Sequence, residues 1–421
     1  MKTRAEERWE QMQQLLAREA SGYDGPVKIS SQRTLFGIKS HVEEVIEKAT
    51  AEDTQKCMDK LSDKNGSSPE KHRKNQPNPS LYISKKKGST MSEVRDEMMK
   101  RILSGKIVQA PTACYKAELD GTVSDELIEF YTPRAENPVL DMIIVEHSFV
   151  APRGQASPRQ ISLATSDVVE GLSRLASLIK DNGKVAFIQL AHAGGTAYRK
   201  VTRLVPWAPS SMIIDEAATG LGDPIPCAEI TKADIELTIQ QFADAAVRAV
   251  QAGFDGVEIH AAHAYLLNEF FSPLTNHRTD EYGGSIENRV RIHCEVAKAV
   301  RVAVGPDVPI SMRFGGCDYK EGGNTIEDAV EAAKIIAANT DIDILNVSGG
   351  MCYYKRPDHK EPGYFAEMTT AIKQAVDLPV IVTGGVRTLE DVDTLLAEGA
   401  GDLVGVSRAI FKNPAWPAPA E

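Results

Sequence analysis

The segment GVEIHAAHAYLLNEFFSPLTNHRTDEYGGSIENRVR occupies residues 256–291 and opens with the short apolar run GVEIHAA. A run of this length and composition is typical of a strand buried on both faces of a parallel sheet. Seven further runs of the same kind follow residue 105, namely KIVQAP (106–111), MIIVEHS (142–148), VAFIQLA (185–191), PISMRFG (309–315), ILNVSGG (344–350), PVIVTGG (379–385) and LVGVSRA (403–409). The sequence therefore predicts eight buried strands.

Helical patterns separate these runs. One covers 165–183, with Ser166 as its expected cap and Gly183 as its expected end, and another covers 231–253. Alternating strands and helices predict parallel pairing with right-handed crossovers, and eight units predict a closed (β/α)₈ TIM barrel of the α/β class. An open doubly wound sheet is the alternative. No G-x-G-x-x-G follows any of the runs, as a dinucleotide-binding sheet would require.

Composition excludes several classes of protein. The chain has 421 residues, 42% of them hydrophobic, with no apolar run long enough to span a bilayer. A formal charge of −11 repels a phosphate backbone, so nucleic acid is not an expected partner. The charged start MKTRAEERWE lacks the apolar core of a secretory signal, and we expect a cytoplasmic location. Six scattered cysteines without a C-x-x-C are expected to be reduced thiols.

The first 90 residues differ from the rest in composition and in hydrophobic pattern. Residues 4–20 and roughly 40–60 show helical patterns, whereas 62–90 are rich in Ser, Pro, Asn and Lys and poor in large apolar groups. Such a segment buries too little surface to offset its chain entropy. We therefore predict an N-terminal extension over 1–90, with short helices and a disordered linker, and a barrel over 91–421.

Polar residues cluster where the predicted strands end, which is where barrel enzymes carry their chemistry. Gln189 ends the third run, Glu258 and His260 the fourth, and Arg313 the fifth. Glycine pairs end the sixth and seventh runs at 349–350 and 384–385, and Ser407 and Arg408 end the eighth. Glycine amides after the seventh strand with an arginine after the eighth are typical of a phosphate site, although a Gly-Gly pair alone is also a simple tight turn.

His260, His263 and Tyr265 leave the same strand end. Two histidines three residues apart could ligate a metal, but no third ligand at metal spacing is evident and Arg313 would repel a cation. The arrangement favours a hydrogen-bonding clamp on a carbonyl oxygen, with the tyrosine as a proton donor. Structural histidines and a half-buried tyrosine are the simpler interpretation.

The string HAAHAYLLNEFFSPLTNHRTDEYGGSIENRVR (260–291) resembles the signature of the Old Yellow Enzyme family, which comprises FMN-dependent NAD(P)H:flavin oxidoreductases and ene-reductases. QLAHAGG (189–195), APT (110–112), YTPRA (131–135) and DLVGVSRAIFKNPAW (402–416) add to the resemblance. It covers about residues 103–416 and is closer to the bacterial short-chain branch than to the yeast enzymes.

The resemblance implies a role for each matching residue. His260 and His263 would bind the substrate carbonyl, and Tyr115 would line the substrate cavity. Tyr265 would protonate the α-carbon on the face of the alkene opposite to the face that receives the hydride from flavin N5. Arg313 would stabilise the reduced flavin and Gln189 would bind its pyrimidine end. The implied FMN-binding set is Ala110, Pro111, Thr112, Ala113, His147, Gln189, Arg313, Gly384, Gly385, Ser407 and Arg408.

The chain departs from the family pattern at several positions, among them Gly195, which replaces a larger residue. Ala113 stands where relatives place a Cys or Thr that contacts the flavin, and Cys114, one residue later, should face the other side of the strand. His147 stands where a small residue is usual. The chain continues only to FKNPAWPAPAE after the eighth run, which is too short and Pro-rich for an eighth helix. Without that helix, the outer face of the barrel between the first and last strands would be an exposed seam. We expect 91–103, the N-terminal helices or a second subunit to cover this seam.

The leading hypothesis is an FMN enzyme, of the NAD(P)H:flavin oxidoreductase or ene-reductase type, that uses NADPH or NADH to reduce an electrophilic alkene such as an enone. We expect it to bind small molecules, no nucleic acid, no membrane and no metal, and a homo-oligomer is open. Two rivals remain: a non-catalytic barrel that has lost its flavin, and a metal-dependent lyase using His260, His263 and Glu258.

Overall fold

The protein is described by a computed structural model over residues 92–214, 225–356 and 358–417. The predicted extension over 1–90 lies outside the described residues. The strands within them are β1 (Ile107–Gln109), β2 (Met142–Phe149), β3 (Val185–Ala191), β4 (Trp207–Ala208), β5 (Met212–Ile214), β6 (Ile225–Glu229), β7 (Gly256–Ala261), β8 (Ile310–Gly315), β9 (Ile344–Ser348), β10 (Val380–Thr383) and β11 (Leu403–Val406).

Eight of these strands close into a parallel barrel in the order β1-β11-β10-β9-β8-β7-β3-β2. Each corresponds to one of the eight apolar runs, so the (β/α)₈ barrel is confirmed. The alternative prediction of an open doubly wound sheet is wrong. Strand β1 pairs with β11, with Val108 opposite Gly405, so the sheet has no free edge. The short strands β4, β5 and β6 form a separate three-stranded sheet.

Helices follow most barrel strands. They are α1 (Glu93–Leu103), α2 (Asp125–Ala135), α3 (Val169–Asp181), α4 (Arg199–Thr202), α5 (Lys232–Gln251), α6 (Leu266–Phe271), α7 (Ile286–Arg289), α8 (Arg291–Val304), α9 (Ile326–Asn339), α10 (Ala366–Ala375), α11 (Leu389–Ala397) and α12 (Arg408–Lys412). In the described residues, no helix combines the length and the apolar character that crossing a membrane requires.

Side-chain caps explain where several helices begin. Thr231 accepts a hydrogen bond from the amide of Asp234 at the start of α5, and Thr325 forms a reciprocal capping box with Asp328 at α9. The predicted Ser166 cap is wrong. Ser166 opens a short 3₁₀ turn that runs into α3 without a side-chain cap, since the first turn is tightened before the α-helix begins.

Inward-facing side chains fill the barrel in layers. The lower layers are apolar and include Val108, Met142, Ile144, Phe187 and Ile381. Gly256 allows Phe187 to occupy the centre, because a Cβ at position 256 would overlap the phenyl ring. The alternate residues face outward and pack against the helices.

Helix α1 closes the amino-terminal end of the barrel. Met99 and Ile102 join the apolar interior, and Arg95 Nε lies 3.4 Å from the buried carboxylate of Asp343, just before β9. The expectation that 91–103 covers the outer seam between the first and last strands is therefore wrong for the described residues 92–103. The apolar face of α1 finds its partner at the barrel floor, where strand ends would otherwise leave the core open to water.

The seam between β1 and β11 is covered by the chain's own last described segment. Arg134 on α2 donates to the carbonyls of Ile410 and Phe411, and Asn137 donates to the carbonyls of Pro414 and Trp416. The Trp416 side chain is buried in the main core. A single turn of helix followed by an anchored tryptophan thus covers the surface that a longer helix would cover.

Candidate active site

The carboxyl ends of the barrel strands bring the predicted polar residues to one rim. His260 on β7 lies opposite Arg313 on β8 in the strand register, and Gly315 lies opposite Ser348 on β9. All of these strands run in the same direction, so their last inward-facing side chains share one level of the barrel. His260, Arg313 and Ser348 are all buried.

A left-handed turn after β7 aims the second histidine and the tyrosine back over the rim. His263 and Ala264 have φ angles of 60° and 58°, a conformation that β-carbon-bearing residues rarely adopt. The ring of His260 lies 5.1 Å from that of His263 and 4.6 Å from that of Tyr265, measured between centroids. Backbone strain of this kind is common at functional sites.

Both histidines are neutral at physiological pH. Burial lowers the pKa of His260 well below its ordinary value, and the neighbouring His263, His147 and Arg313 lower it further. Burial, followed by the Arg313 guanidinium, lowers the pKa of His263 in the same way. Each ring therefore carries a single N–H, which gives the rim two neutral hydrogen-bond donors.

Hydrogen bonds identify the partner of one ring nitrogen in each histidine. Arg313 Nη2 donates to Ser348 Oγ at 3.4 Å, and the same hydroxyl lies 2.8 Å from His263 Nε2, where either group can be the donor. The amide of Ala262 donates to His260 Nδ1 at 3.3 Å, which places the His260 proton on Nε2.

Tyr265 lies among aromatic groups and stays protonated. Burial, followed by the nearby Tyr115 and Tyr353, raises the pKa of its hydroxyl above the ordinary value. The ring of His147 lies 5.5 Å from Tyr265 and 6.4 Å from His260, and burial lowers the pKa of His147 to about 4. His147 is therefore a neutral third imidazole in the cluster.

The mouth of the site is lined by exposed tyrosines. Tyr115, which follows β1, is 55% exposed, and Tyr354, which follows β9, is 54% exposed. The Tyr354 ring lies 6.4 Å from that of His263 in an edge-to-face arrangement. These side chains present flat apolar faces at the entrance to the histidine cluster.

The end of β1 supplies backbone and small side chains to the rim. Thr112 Oγ1 lies 2.7 Å from Ser407 Oγ, which joins the ends of the first and last strands. Ala110 is buried, while Pro111 and Ala113 are half-buried. These are the positions that the resemblance assigns to the flavin edge.

Cys114 lies in the loop after β1, not on the strand, and its side chain is directed to Glu146. Its amide and thiol both donate to the buried carboxylate of Glu146, the thiol at 3.5 Å. Burial raises the pKa of the Cys114 thiol and raises that of Glu146 to about 7. The five described cysteines are buried and free of disulfides.

The predicted phosphate residues lie together after β10 and β11. Gly384 and Gly385 have φ angles of 123° and 73°, and a Cβ on Gly385 would lie 2.7 Å from the Tyr364 ring. The hydroxyl of Tyr364 in turn accepts a hydrogen bond from Arg408 Nη2 at 2.6 Å. Ser407 immediately precedes Arg408, so hydroxyl, guanidinium and glycine backbone share one corner of the rim.

A polar layer lies directly below the rim. Glu258 accepts hydrogen bonds from Gln189, Ser311 and Asn346. Its carboxylate is occupied by these three donors, and the described part of the chain holds no group of three His, Cys, Asp or Glu side chains arranged so that they could hold a metal ion. Above it, Nε and Nη1 of Arg313 have no hydrogen-bond partner among the described residues although both are buried.

Sequence reasoning does not single out every residue of the site. It leaves out Ser348, Tyr354 and Tyr364, although Ser348 lies in the run ILNVSGG and ends β9 at an inward-facing position. The strand periodicity is a sufficient signal for Ser348 and for Asn346 in the same run. Tyr354 and Tyr364 lie in a loop without periodicity, so only the packed structure places them.

Comparisons with known proteins place these residues in a family. A family model described as the NADH:flavin oxidoreductase / NADH oxidase family matches residues 98–421. The NADPH dehydrogenase of Geobacillus thermodenitrificans is 39% identical over 319 residues, which make up 75% of this chain and 89% of that enzyme. The NADH oxidase of Thermoanaerobacter brockii is 37% identical over 334 residues, 76% of this chain but only 49% of that enzyme. The chain thus spans about half the length of that relative.

Solved structures agree with this placement. A 2-naphthoyl-CoA reductase in complex with 2-naphthoyl-CoA superposes with a TM-score of 0.68 at 28% identity, covering 74% of this chain and 49% of that one. The old yellow enzyme homologue from Zymomonas mobilis superposes with a TM-score of 0.65 at 26% identity, covering 75% of this chain and 90% of that one. The chain therefore belongs to the NADH:flavin oxidoreductase / NADH oxidase family, the family of Old Yellow Enzyme.

Proposed function

We propose that this protein reduces the activated C=C bond of α,β-unsaturated carbonyl compounds, as a specific form of the NAD(P)H:flavin oxidoreductase chemistry of its family. The observation that carries the proposal is the pair of neutral imidazoles beside a protonated phenol at one rim. Two neighbouring N–H donors suit a carbonyl oxygen, which gains negative charge during reduction of the conjugated alkene.

Membership of the family makes FMN the cofactor and NADH or NADPH the reductant. The residues present fit FMN, because buried Arg313 offers two N–H groups that the described residues leave unpartnered. A fixed cation at this position favours the reduced, negatively charged form of a flavin. The corner formed by Gly384, Gly385, Ser407 and Arg408 suits its phosphate.

The chemistry that bound FMN supplies is hydride transfer, first from the nicotinamide and then to the β-carbon of the alkene. The protein's own groups hold the substrate and move the proton. His260 Nε2–H would bind the carbonyl oxygen together with the N–H of His263, in the tautomer whose Nε2 accepts from Ser348 Oγ, and both would draw electron density from the alkene. Tyr265 would give its proton to the α-carbon and recover it from water.

The proposal is tested by separating the two half-reactions of the purified enzyme under anaerobic conditions. Tyr265→Phe removes only the hydroxyl and should slow reoxidation by 2-cyclohexenone about 100-fold or more. Reduction by NADPH should change by less than about threefold, because no proton from Tyr265 is needed there. Equal slowing of both half-reactions would contradict the role of Tyr265.

Tyr319→Phe is the matched control for loss of a tyrosine hydroxyl. Tyr319 is half-buried, and its ring contacts Phe365 and the Arg356 guanidinium rather than the histidines. Both half-reactions of this variant should match the wild type.

Flavin content separates the proposal from its rivals. The purified protein should be yellow and hold close to one FMN per chain. A colourless protein that cannot be reconstituted with FMN would favour a non-catalytic barrel. Activity that follows bound zinc rather than flavin would favour the lyase.

A further inference from the structure

We infer that Glu258 is a positioning residue, which sets the orientation of the Gln189 amide and supplies the counter-charge of Arg313 beneath the cofactor. This inference rests on the proposed placement of FMN against Gln189 and Arg313. Glu258 is 0% exposed, and it lies on β7 one layer below His260 and the rim.

Three donors from three other strands converge on this carboxylate. Gln189 Nε2 on β3 donates to Oε1 at 2.8 Å, and Ser311 Oγ on β8 and Asn346 Nδ2 on β9 donate to Oε2 at 2.9 Å and 2.8 Å. Hydrogen bonds donated to a carboxylate favour its ionised form. The carboxylate therefore joins β3, β7, β8 and β9 through one group of atoms.

The bond to Gln189 decides which end of that amide faces the cofactor. A glutamine amide has a donor nitrogen and an acceptor oxygen, and rotation about its last torsion exchanges them. Because one N–H of Nε2 is held by Glu258, the amide cannot exchange its two ends, and Oε1 stays available as an acceptor for FMN beside the second N–H of Nε2. The pyrimidine end of a flavin offers a ring N–H to such an acceptor.

The charge of Glu258 also balances that of Arg313, because Glu258 lies opposite Ser311 on the neighbouring strand β8, two residues before Arg313. Burial lowers the pKa of the guanidinium, and the Glu258 carboxylate is the main charge that opposes this effect. Burial likewise raises the pKa of Glu258, and Arg313 is the main charge that opposes it. With a neutral residue at 258, the positive charge of Arg313 would have no nearby negative charge to balance it. This would stabilise reduced, negatively charged FMN relative to oxidised FMN.

The test measures FMN dissociation constants and the flavin midpoint potential of four variants. In Glu258→Gln, affinity for oxidised FMN should fall about 30-fold and affinity for reduced FMN only about threefold. The resulting tenfold change in ratio corresponds to a midpoint potential about 30 mV higher. Glu258→Asp keeps the charge but withdraws it from Gln189, so it should weaken FMN binding while the potential stays near that of the wild type.

Glu269→Gln is the matched control, because Glu269 is another buried glutamate but accepts from the amide of Gly195 rather than from Gln189. Its thermal stability should change, whereas its flavin potential should not. Gln189→Leu tests the underlying placement and should weaken FMN binding.

The outcomes separate two failures. If Gln189→Leu weakens FMN binding but Glu258→Gln leaves both affinity and potential unchanged, the positioning role of Glu258 is refuted. If Gln189→Leu also has no effect, the proposed placement of FMN is wrong. Should Glu258→Gln fail to fold, unchanged FMN affinity in Glu258→Asp refutes the anchoring of Gln189.

Discussion

Trp416→Ala should destabilise the barrel strongly, although Trp416 lies in the irregular segment that follows α12. Its side chain is 4% exposed, and its Nε1 donates to the carbonyl of Arg387 at 2.6 Å. Truncating a buried tryptophan costs about 3–5 kcal/mol, and the lost hydrogen bond adds about 1 kcal/mol. The free energy of unfolding should therefore fall by about 4–6 kcal/mol. At roughly 2 °C per kcal/mol for a domain of this size, the melting temperature should fall by about 8–12 °C.

The assay is thermal unfolding of the apo-protein, because bound FMN would add its own stabilisation. Trp416→Phe keeps a ring but loses the N–H, so it should cost only about 1–2 kcal/mol. Phe411→Ala is the control in the same segment, since Phe411 is 41% exposed and meets Phe130 at a ring distance of 5.7 Å.

FMN affinity should fall in the Trp416→Ala variant as well. Trp416 anchors the segment that begins with Arg408, so its loss should loosen the phosphate corner and weaken FMN binding by about tenfold, or about 1.4 kcal/mol. The reasoning is refuted if Trp416→Ala melts no lower than Phe411→Ala, because the last described segment would then not close the seam.

Gly385, His293 and Glu146 give three more predictions. Gly385→Ala places a Cβ 2.7 Å from the Tyr364 ring at a φ of 73°, so FMN binding should weaken about tenfold by fluorescence titration; wild-type affinity would show that the corner is not the phosphate site. His293 is buried with a pKa lowered to about 3, so its contribution to stability is present above its ordinary pKa of 6.5 and is lost as pH falls toward the lowered value. In urea unfolding, the free energy of unfolding of His293→Leu should therefore fall by about 2–3 kcal/mol less than that of the wild type between pH 7 and roughly pH 4.5. An equal fall in both proteins would contradict this. Glu146 has the opposite effect on the pH dependence of stability. Burial raises its pKa from 4.5 to about 7, so its contribution to stability is lost as pH rises between these values. Glu146→Gln should accordingly lose less stability than the wild type between about pH 5 and pH 8, and a curve parallel to the wild type would show that Glu146 does not titrate in this range.

The amino-acid sequence by itself determined the eight strands and the residues at their ends. Each strand is a local apolar run bounded by polar residues and glycine, and this pattern is legible without knowledge of the neighbours. The cluster of His260, His263 and Tyr265 was predictable for the same reason, because all three leave one strand end.

Only the tertiary structure decided which distant residues meet. Gln189 and Asn346 reach Glu258 across 69 and 88 residues of chain, and their meeting follows from the strand register of the closed barrel. The floor position of α1 and the anchoring of Trp416 likewise depend on which apolar surfaces the closed barrel leaves uncovered. Burial and hydrogen-bond satisfaction are properties of the assembled barrel, so no local pattern could have assigned them.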